Sequence, residues 1–162
     1  MNEDGATGRV HQVAVPPAAR ALSTLSRIDY QDAFLVETGP AADRTAEQWA
    51  RTILENAPIT VRSTLVSGWS ALGLKLGCAR SDHRVLGWEV RRSTPDYVLL
   101  GADSHIGMPG ELLFKRERGA LLFATFVQHD NPIARAVWAE VEPVHVPIVR
   151  RVLEQAGSRW RP

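Results

Sequence analysis

Towards the end of the sequence, apolar residues recur at three- and four-residue spacing, which predicts one long amphipathic helix. The apolar stripe consists of Ile133, Val137, Val141, Val144, Ile148 and Val152. Asn131 is a favourable N-cap and Pro132 suits the first helical position, so we expect the helix to begin there and to end at Gly157. Pro143 and Pro147 each remove one helical hydrogen bond, at a cost of about 3 kcal/mol in a helix interior. They predict one bend, or a break into two helices, between residues 139 and 147.

Residues 85–129 show the alternation and the β-branched and aromatic residues of strands. The predicted strands are 85–92, 96–102, 111–115 and 120–129, with an earlier strand at 28–38. Turns at Ser93–Pro95 and Arg116–Gly119 separate neighbouring strands, which indicates an antiparallel meander. The last of these strands is apolar on both faces, so we expect it to lie centrally in the sheet, beneath other elements.

Two short helices are predicted between the first strand and this meander. Thr45 and Gln48 have the spacing of a capping box, which begins a helix that runs to about Asn56. A second helix covers residues 61–72, and Gly73 can close it in the left-handed conformation. Residues 77–84 are polar and predict a loop.

The domain boundaries follow from composition. Residues 1–15 are small, polar and mixed, and Pro16–Pro17 follows them, which predicts a flexible N-terminal tail. Residues 16–157 are expected to form a single domain, followed by a short C-terminal tail at 158–162. The content of 44% hydrophobic and 23% charged residues is ordinary for a globular protein.

Charge and cysteine content exclude several classes of function. The net charge of +1 offers no basic excess to neutralise phosphates, so we expect no nucleic-acid binding. A single cysteine, Cys78, excludes an internal disulfide framework and a multi-cysteine zinc site, and favours a reducing, cytoplasmic location. No apolar run approaches the roughly 20 residues that span a bilayer, so no membrane insertion is expected.

Three short motifs point to a known superfamily. They are Asp29–Phe34 in the first strand, Leu72–Leu74 after the helix pair, and the proline, histidine and arginine pattern from Trp138 through Pro143-Val144-His145 to Arg151. Together with the element order, residues 16–156 resemble a bacterial branch of the START-like (SRPBCC) superfamily, which includes polyketide cyclases, the birch-pollen allergen and lipid-transfer domains.

The resemblance implies an α+β helix-grip fold, in which a curved antiparallel sheet wraps around a long C-terminal helix and a helix pair follows the first strand. It also implies a cavity between sheet and helix for a small hydrophobic or amphipathic ligand, lipid-like or polyketide-like, with no cofactor. The predicted sheet has fewer than the usual seven strands, so we expect this cavity to be small or filled.

Aromatic and amphipathic side chains lie on the segments that would surround such a cavity, although each of them is equally suited to fill a core. The candidate ligand-binding residues are Trp69, Trp88, Tyr97, Phe114, Phe123, Phe126, Trp138 and His145. Which strand residues point inward depends on register, because a one-residue slip moves every side chain to the other face.

His145 is the candidate catalytic residue, because an imidazole at a cavity wall can act as acid or base in a cyclase-like dehydration or aldol step. Glu89, Arg91 and His105 are its supporting candidates. Two alternatives to ligand binding therefore stay open. One is a cyclase- or dehydratase-like enzyme, and the other is a protein-interaction module with a filled cavity.

Other constellations do not reach the pattern that their chemistry needs. Glu142 and His145 have the spacing of a di-iron motif, but such sites need two copies and further glutamates. Asp103, Ser104 and His105 are triad residue types, yet adjacent residues rarely converge on one centre. No histidine pair has a metal-ligand spacing, so we predict no metal and no cofactor.

Overall fold

The computed structural model describes residues 9–39 and 43–159. The architecture is α+β: a curved antiparallel sheet with a long C-terminal helix. The strands are β1 (Val10–Val13), β2 (Tyr30–Glu37), β3 (Arg80–Ser81), β4 (Arg84–Val85), β5 (Trp88–Ser93), β6 (Tyr97–Ala102), β7 (Gly110–Glu117) and β8 (Ala120–Val127). The helices are α1 (Pro17–Arg20), α2 (Ala46–Leu54), α3 (Ile59–Ala71) and α4 (Pro132–Arg159).

Within the described residues, the eight strands form one sheet in the order β1-β2-β8-β7-β6-β5-β4-β3. All neighbouring pairs are antiparallel, and β8 lies between β2 and β7, in agreement with the central position predicted from its two apolar faces. The sheet has more strands than the sequence predicted, because three of them are only two to four residues long. Such short segments carry too few residues for alternation to be recognised.

The predicted helix starts are confirmed by their hydrogen bonds. Both bonds of the capping box are present at α2, between Thr45 and Gln48. At α4, the Ala134 N–H donates to Asn131 Oδ1 at 2.8 Å. Gly73 follows α3 with a φ of +83°, as the predicted left-handed cap requires.

Three predicted segments differ from the structure. Val10–Val13 was assigned to the N-terminal tail, but it is an edge strand that pairs with β2 and buries Val10 against the inner face of the sheet. The predicted loop at 77–84 contains β3 and the start of β4. The predicted strand 85–92 is divided by a turn at Leu86–Gly87, where both residues have positive φ. Residues 1–8 of the predicted tail lie outside the described residues.

Helix α4 continues through both of its internal prolines, so the predicted alternative of a break into two helices is wrong. Pro143 and Pro147 are both exposed, as is Ala139. The carbonyls of Ala139 and Pro143, which lose their helical donors, therefore lie on the solvent side, where water can bind them.

The sheet is covered on both faces. The inner face packs against α2 and α4 through a cluster that includes Phe34, Leu100, Phe114, Ile53 and Leu153. The outer face carries a second cluster, which residues 13–28 cover as they run from β1 to β2. This covering segment contributes Val13, Val15, Ala19, Leu22, Leu25 and Ile28. We call it the N-terminal strap.

A buried carboxylate fastens the N-terminal strap. Glu111 on β7 is fully buried on the outer face, and it accepts hydrogen bonds from the Ser23 hydroxyl and from both the hydroxyl and the N–H of Thr24. Arg91 reaches the same carboxylate at 3.4 Å, from two strands away. It crosses β6 at Gly101, where a Cβ would lie 2.1 Å from Arg91 Nε, so only glycine leaves room for this pair.

A second polar cluster fixes the start of β2. Arg27 Nε donates to Asp29 Oδ1 at 2.8 Å, and the backbone N–H of His129 donates to Asp29 Oδ2 at 2.7 Å. These bonds to the charged form lower the pKa of Asp29 to about 2. The cluster joins the end of β8 to the start of β2, and so it positions the two residues, Tyr30 and Asp32, that face α4.

None of the helices in the described ranges has the length and apolar character needed to cross a membrane.

Candidate functional site

Two small cavities lie between the inner face of the sheet and α4. The first, which we call the inner crevice, has a volume of about 50 Å³ and is bordered by Trp69, Trp88, Leu112, Thr125, Trp138 and His145. The second, the apolar cavity, has a volume of about 70 Å³ and is bordered by Ile53, Leu65, Phe114, Phe123, Val149 and Leu153 among others. Trp69, Leu112 and His145 border both, so the two cavities are neighbours with a shared wall.

An open groove between α3 and α4 adjoins the apolar cavity. We call it the helix groove; it has a volume of about 490 Å³ and a mainly apolar lining that includes Val61, Val144 and Pro147. Leu65, Ile148 and Val152 border both the helix groove and the apolar cavity. The helix groove, the apolar cavity and the inner crevice are therefore neighbours, each separated from the next by shared side chains.

The aromatic residues of the inner crevice come from strands and helices that are far apart in the sequence. Trp88 on β5 lies against Gly110 of β7, whose Cβ would be 3.6 Å from the indole ring, and it meets the edge of Trp69 with ring centroids 5.4 Å apart. On the opposite side, Trp138 and His145 are two turns apart on α4 and their rings are 5.1 Å apart. Tyr30 contacts the Trp138 ring at 4.8 Å.

Asp32 and His145 are in close contact at the wall of the crevice. The distance from His145 Nε2 to Asp32 Oδ2 is 3.0 Å, and the two side chains are only 17% and 3% exposed. His145 Nε2 has no hydrogen-bond partner among the described residues, so this close contact lies outside hydrogen-bond geometry. Tyr30 donates its hydroxyl to the same Asp32 oxygen at 2.6 Å.

Tyr30 is held as a neutral donor. Burial of its hydroxyl and the hydrogen bond to Asp32 raise the pKa of Tyr30 far above its ordinary value. Asp32 Oδ1, by contrast, has no hydrogen-bond partner among the described residues. In this arrangement Tyr30 orients the Asp32 carboxylate, which lies against the imidazole of His145.

Asp32 and His145 separate two environments. Asp32 borders a surface pocket of about 420 Å³ together with Tyr30 and the exposed Glu142, whereas His145 borders the inner crevice and the apolar cavity. The pair thus forms part of the wall between a surface pocket and the interior.

Around the inner crevice, three further polar atoms are buried without a hydrogen-bond partner in the part of the chain that the structure describes. They are Trp88 Nε1, Thr125 Oγ1 and Trp138 Nε1. The residues that carry them are 2%, 4% and 5% exposed. Native proteins leave few such groups, so three around one crevice is an unusual concentration.

The structure brings together some of the candidate residues and separates others. Trp69, Trp88, Trp138 and His145 surround the inner crevice, and Phe114 and Phe123 border the apolar cavity. Tyr97 and Phe126 pack in the outer-face cluster, although Phe126 also borders the crevice. Side chains alternate along a strand, so on a strand that is apolar on both faces the sequence could not separate these residues from the inward ones.

The supporting candidates for His145 lie elsewhere. Arg91 contacts Glu111 and Asp103 on the outer face, while Glu89 and His105 are exposed. The acid that does contact His145 is Asp32, which is not among the residues predicted from the sequence. Its signal was a carboxylate at an inward position of β2, on the same face as Phe34 and Val36.

A search of the described residues finds no group of three or more histidine, cysteine or acidic side chains placed to hold a metal ion. Glu142, the partner of His145 in the di-iron spacing, is exposed on α4.

No protein-family model, no curated protein and no solved structure matches the chain.

Proposed function

We propose that this protein is a helix-grip domain of the START-like kind that binds a small apolar or amphipathic ligand between its sheet and α4. The observation that carries the proposal is the series of adjoining spaces from the helix groove through the apolar cavity to the inner crevice. It has an apolar outer part and a deep end with polar groups. Such a gradient suits a ligand with an apolar body and one polar end.

The ligand needs more room than the interior now has. Pockets that enclose a drug-sized molecule typically have about 300–1,000 Å³, against about 50 and 70 Å³ here. Helix α3 is the element that can supply the difference, because it has no buried residue and reaches the core only through the partly buried Leu65, Val66 and Trp69. Elements with few buried contacts open at low free-energy cost. An outward movement of α3 would join the helix groove to the apolar cavity.

A second candidate function is a cyclase- or dehydratase-like enzyme, and the Asp32–His145 contact favours it specifically. In this function His145 transfers a proton to or from the ligand, and Asp32 orients the imidazole and stabilises its charged form. Tyr30 holds Asp32 in place through its hydroxyl.

The binding proposal is tested with an environment-sensitive fatty-acid-like dye. We expect saturable micromolar binding that changes tryptophan emission, because Trp69, Trp88 and Trp138 surround the interior. Val152→Phe enlarges a side chain at the junction of helix groove and apolar cavity, and should weaken dye binding at least tenfold. Ile133→Phe, on the same helix but 70% exposed and outside these spaces, is the matched control.

Absence of saturable binding would refute the proposal and favour the interaction module. Equal affinity of the Val152→Phe variant and the wild type would place the dye outside these spaces.

His145→Gln separates a carrier from an enzyme, because glutamine keeps a polar side chain but cannot exchange protons near neutral pH. A carrier variant should bind the dye nearly as well as the wild type. For the enzyme, dehydration of 4-hydroxy-2-butanone, followed by the absorbance of the enone product, should fall roughly 10²- to 10⁴-fold in the variant. No dehydration by the wild type would count against the enzyme.

A further inference from the structure

The unpartnered polar atoms of the inner crevice indicate what kind of ligand group belongs there. An indole Nε1 is a donor only, so Trp88 and Trp138 each require an acceptor. The Thr125 hydroxyl can also donate. Burying a donor without a partner is destabilising, so a ligand that supplies acceptor oxygens recovers a penalty that the folded protein already carries.

The charge around the crevice decides between a neutral and an anionic acceptor. No lysine or arginine of the described chain borders the crevice, and the imidazole of His145, which does border it, is already in contact with Asp32. An anion placed there would be buried beside a carboxylate that is 3% exposed. Burial of a second negative charge is strongly unfavourable, which favours a neutral oxygen.

The size of the crevice limits the group further. A volume of about 50 Å³ has room for a single small polar group and little else. The apolar cavity begins on the other side of Trp69 and Leu112, and it can take the hydrocarbon part of the same molecule.

We propose that the inner crevice is a subsite for the neutral carbonyl group of the ligand, so that ketones and esters are selected over hydrocarbons of the same shape. Trp88 Nε1 and Trp138 Nε1 donate to the carbonyl oxygen or to a second oxygen beside it, and Thr125 Oγ1 adds a third donor. This inference rests on the proposed function, since it assumes that the interior takes a ligand.

The test compares two probes of nearly equal shape, cyclohexanone and methylenecyclohexane, in which a C=CH2 group replaces C=O. Titrations are followed by the indole N–H resonances in ¹H–¹⁵N correlation spectra. We expect the ketone to bind about 10- to 100-fold more tightly than the alkene, as two or three new hydrogen bonds imply. The Trp88 and Trp138 indole N–H signals should move downfield with the ketone and not with the alkene.

Variants that each lack one of the three donors test the contribution of each hydrogen bond. Trp88→Phe, Trp138→Phe and Thr125→Val each remove one donor, and each should lower ketone affinity about 3- to 10-fold while the affinity for the alkene changes less. Trp69→Phe is the matched control: Trp69 borders the same crevice, but its indole nitrogen is not among the buried unpartnered atoms. The Trp69→Phe substitution should change the affinities for the ketone and the alkene by the same factor.

Equal affinity for the two probes, with unmoved Trp88 and Trp138 signals, would overturn the carbonyl subsite and leave the ligand-binding proposal standing; firmly held water would then be the partner of these donors. Failure of both probes and of the dye would overturn both proposals. If a tryptophan variant does not fold, the indole signals of the wild type and the near-isosteric Thr125→Val variant decide the question.

Discussion

Thr125→Val removes one buried hydroxyl from the inner crevice and leaves the shape of the side chain almost unchanged. Thr125 is 4% exposed on β8, and its neighbours across the sheet are Asp32 on β2 and Leu112 on β7. Its hydroxyl has no hydrogen-bond partner within residues 9–39 and 43–159. An unpartnered buried hydroxyl costs about 1–3 kcal/mol, and valine does not carry that cost. The variant should therefore be more stable than the wild type by at least about 1 kcal/mol.

Urea denaturation followed by circular dichroism measures the difference. The midpoint should rise while the dependence on urea concentration stays the same, because the surface exposed on unfolding hardly changes. For a chain of this length, each kcal/mol corresponds to about 2–4 °C in Tm. Thr45→Val is the opposite control, since Thr45 accepts the capping bond from Gln48 and its loss should cost about 0.5–2 kcal/mol.

A destabilised Thr125→Val variant would refute the reasoning. It would mean that the hydroxyl has a partner in the folded protein, such as a firmly held water molecule, and that Thr125 is not free to bind a ligand.

Two further predictions concern the polar clusters outside the crevice. Glu111→Gln should lower the unfolding free energy by about 2–4 kcal/mol. This is somewhat below the range for removing one member of a fully buried pair, because Arg91 is 21% exposed. The variant should also be cleaved more readily by proteases within the N-terminal strap, and unchanged protease resistance would contradict the role of Glu111 in holding that segment. The low pKa of Asp29 means that its contribution to stability is complete above its ordinary pKa of about 4 and is lost as pH falls towards 2. Asp29→Asn should therefore flatten the pH dependence of the unfolding free energy between about pH 4 and pH 2, and a curve parallel to that of the wild type would contradict this.

The features that could be predicted from the sequence are those that depend on contacts between residues close together in the chain. The capping box at Thr45, the N-cap at Asn131 and the left-handed Gly73 all depend on contacts within one or two turns, and the structure has all three. The meander of β5 to β8 was recognisable for the same reason, since alternation and turn residues are local signals.

Features that depend on distant contacts were not predictable in this way. Tyr97 and Phe126 lie on strands with two apolar faces, because the N-terminal strap covers the outer face and removes the polar alternation that would have shown their direction. Asp32 was not selected because its partner His145 belongs to the other end of the chain, and the local signal, a carboxylate on the same face as Phe34 and Val36, does not identify that partner.

The hydrogen bonds between the N-terminal strap and Glu111 join a segment that is synthesised early to a strand that is synthesised late. Ser23 leaves the ribosome 88 residues before Glu111, the carboxylate that it binds. At a synthesis rate of about 5–20 residues per second, roughly 4–18 s pass between the emergence of the N-terminal strap and that of β7. During that interval its apolar residues have no sheet to cover. A nascent chain of this protein should therefore depend on chaperone binding near residues 13–28 until β7 has emerged, and a slow-codon cluster placed before β7 should lower the yield of folded protein.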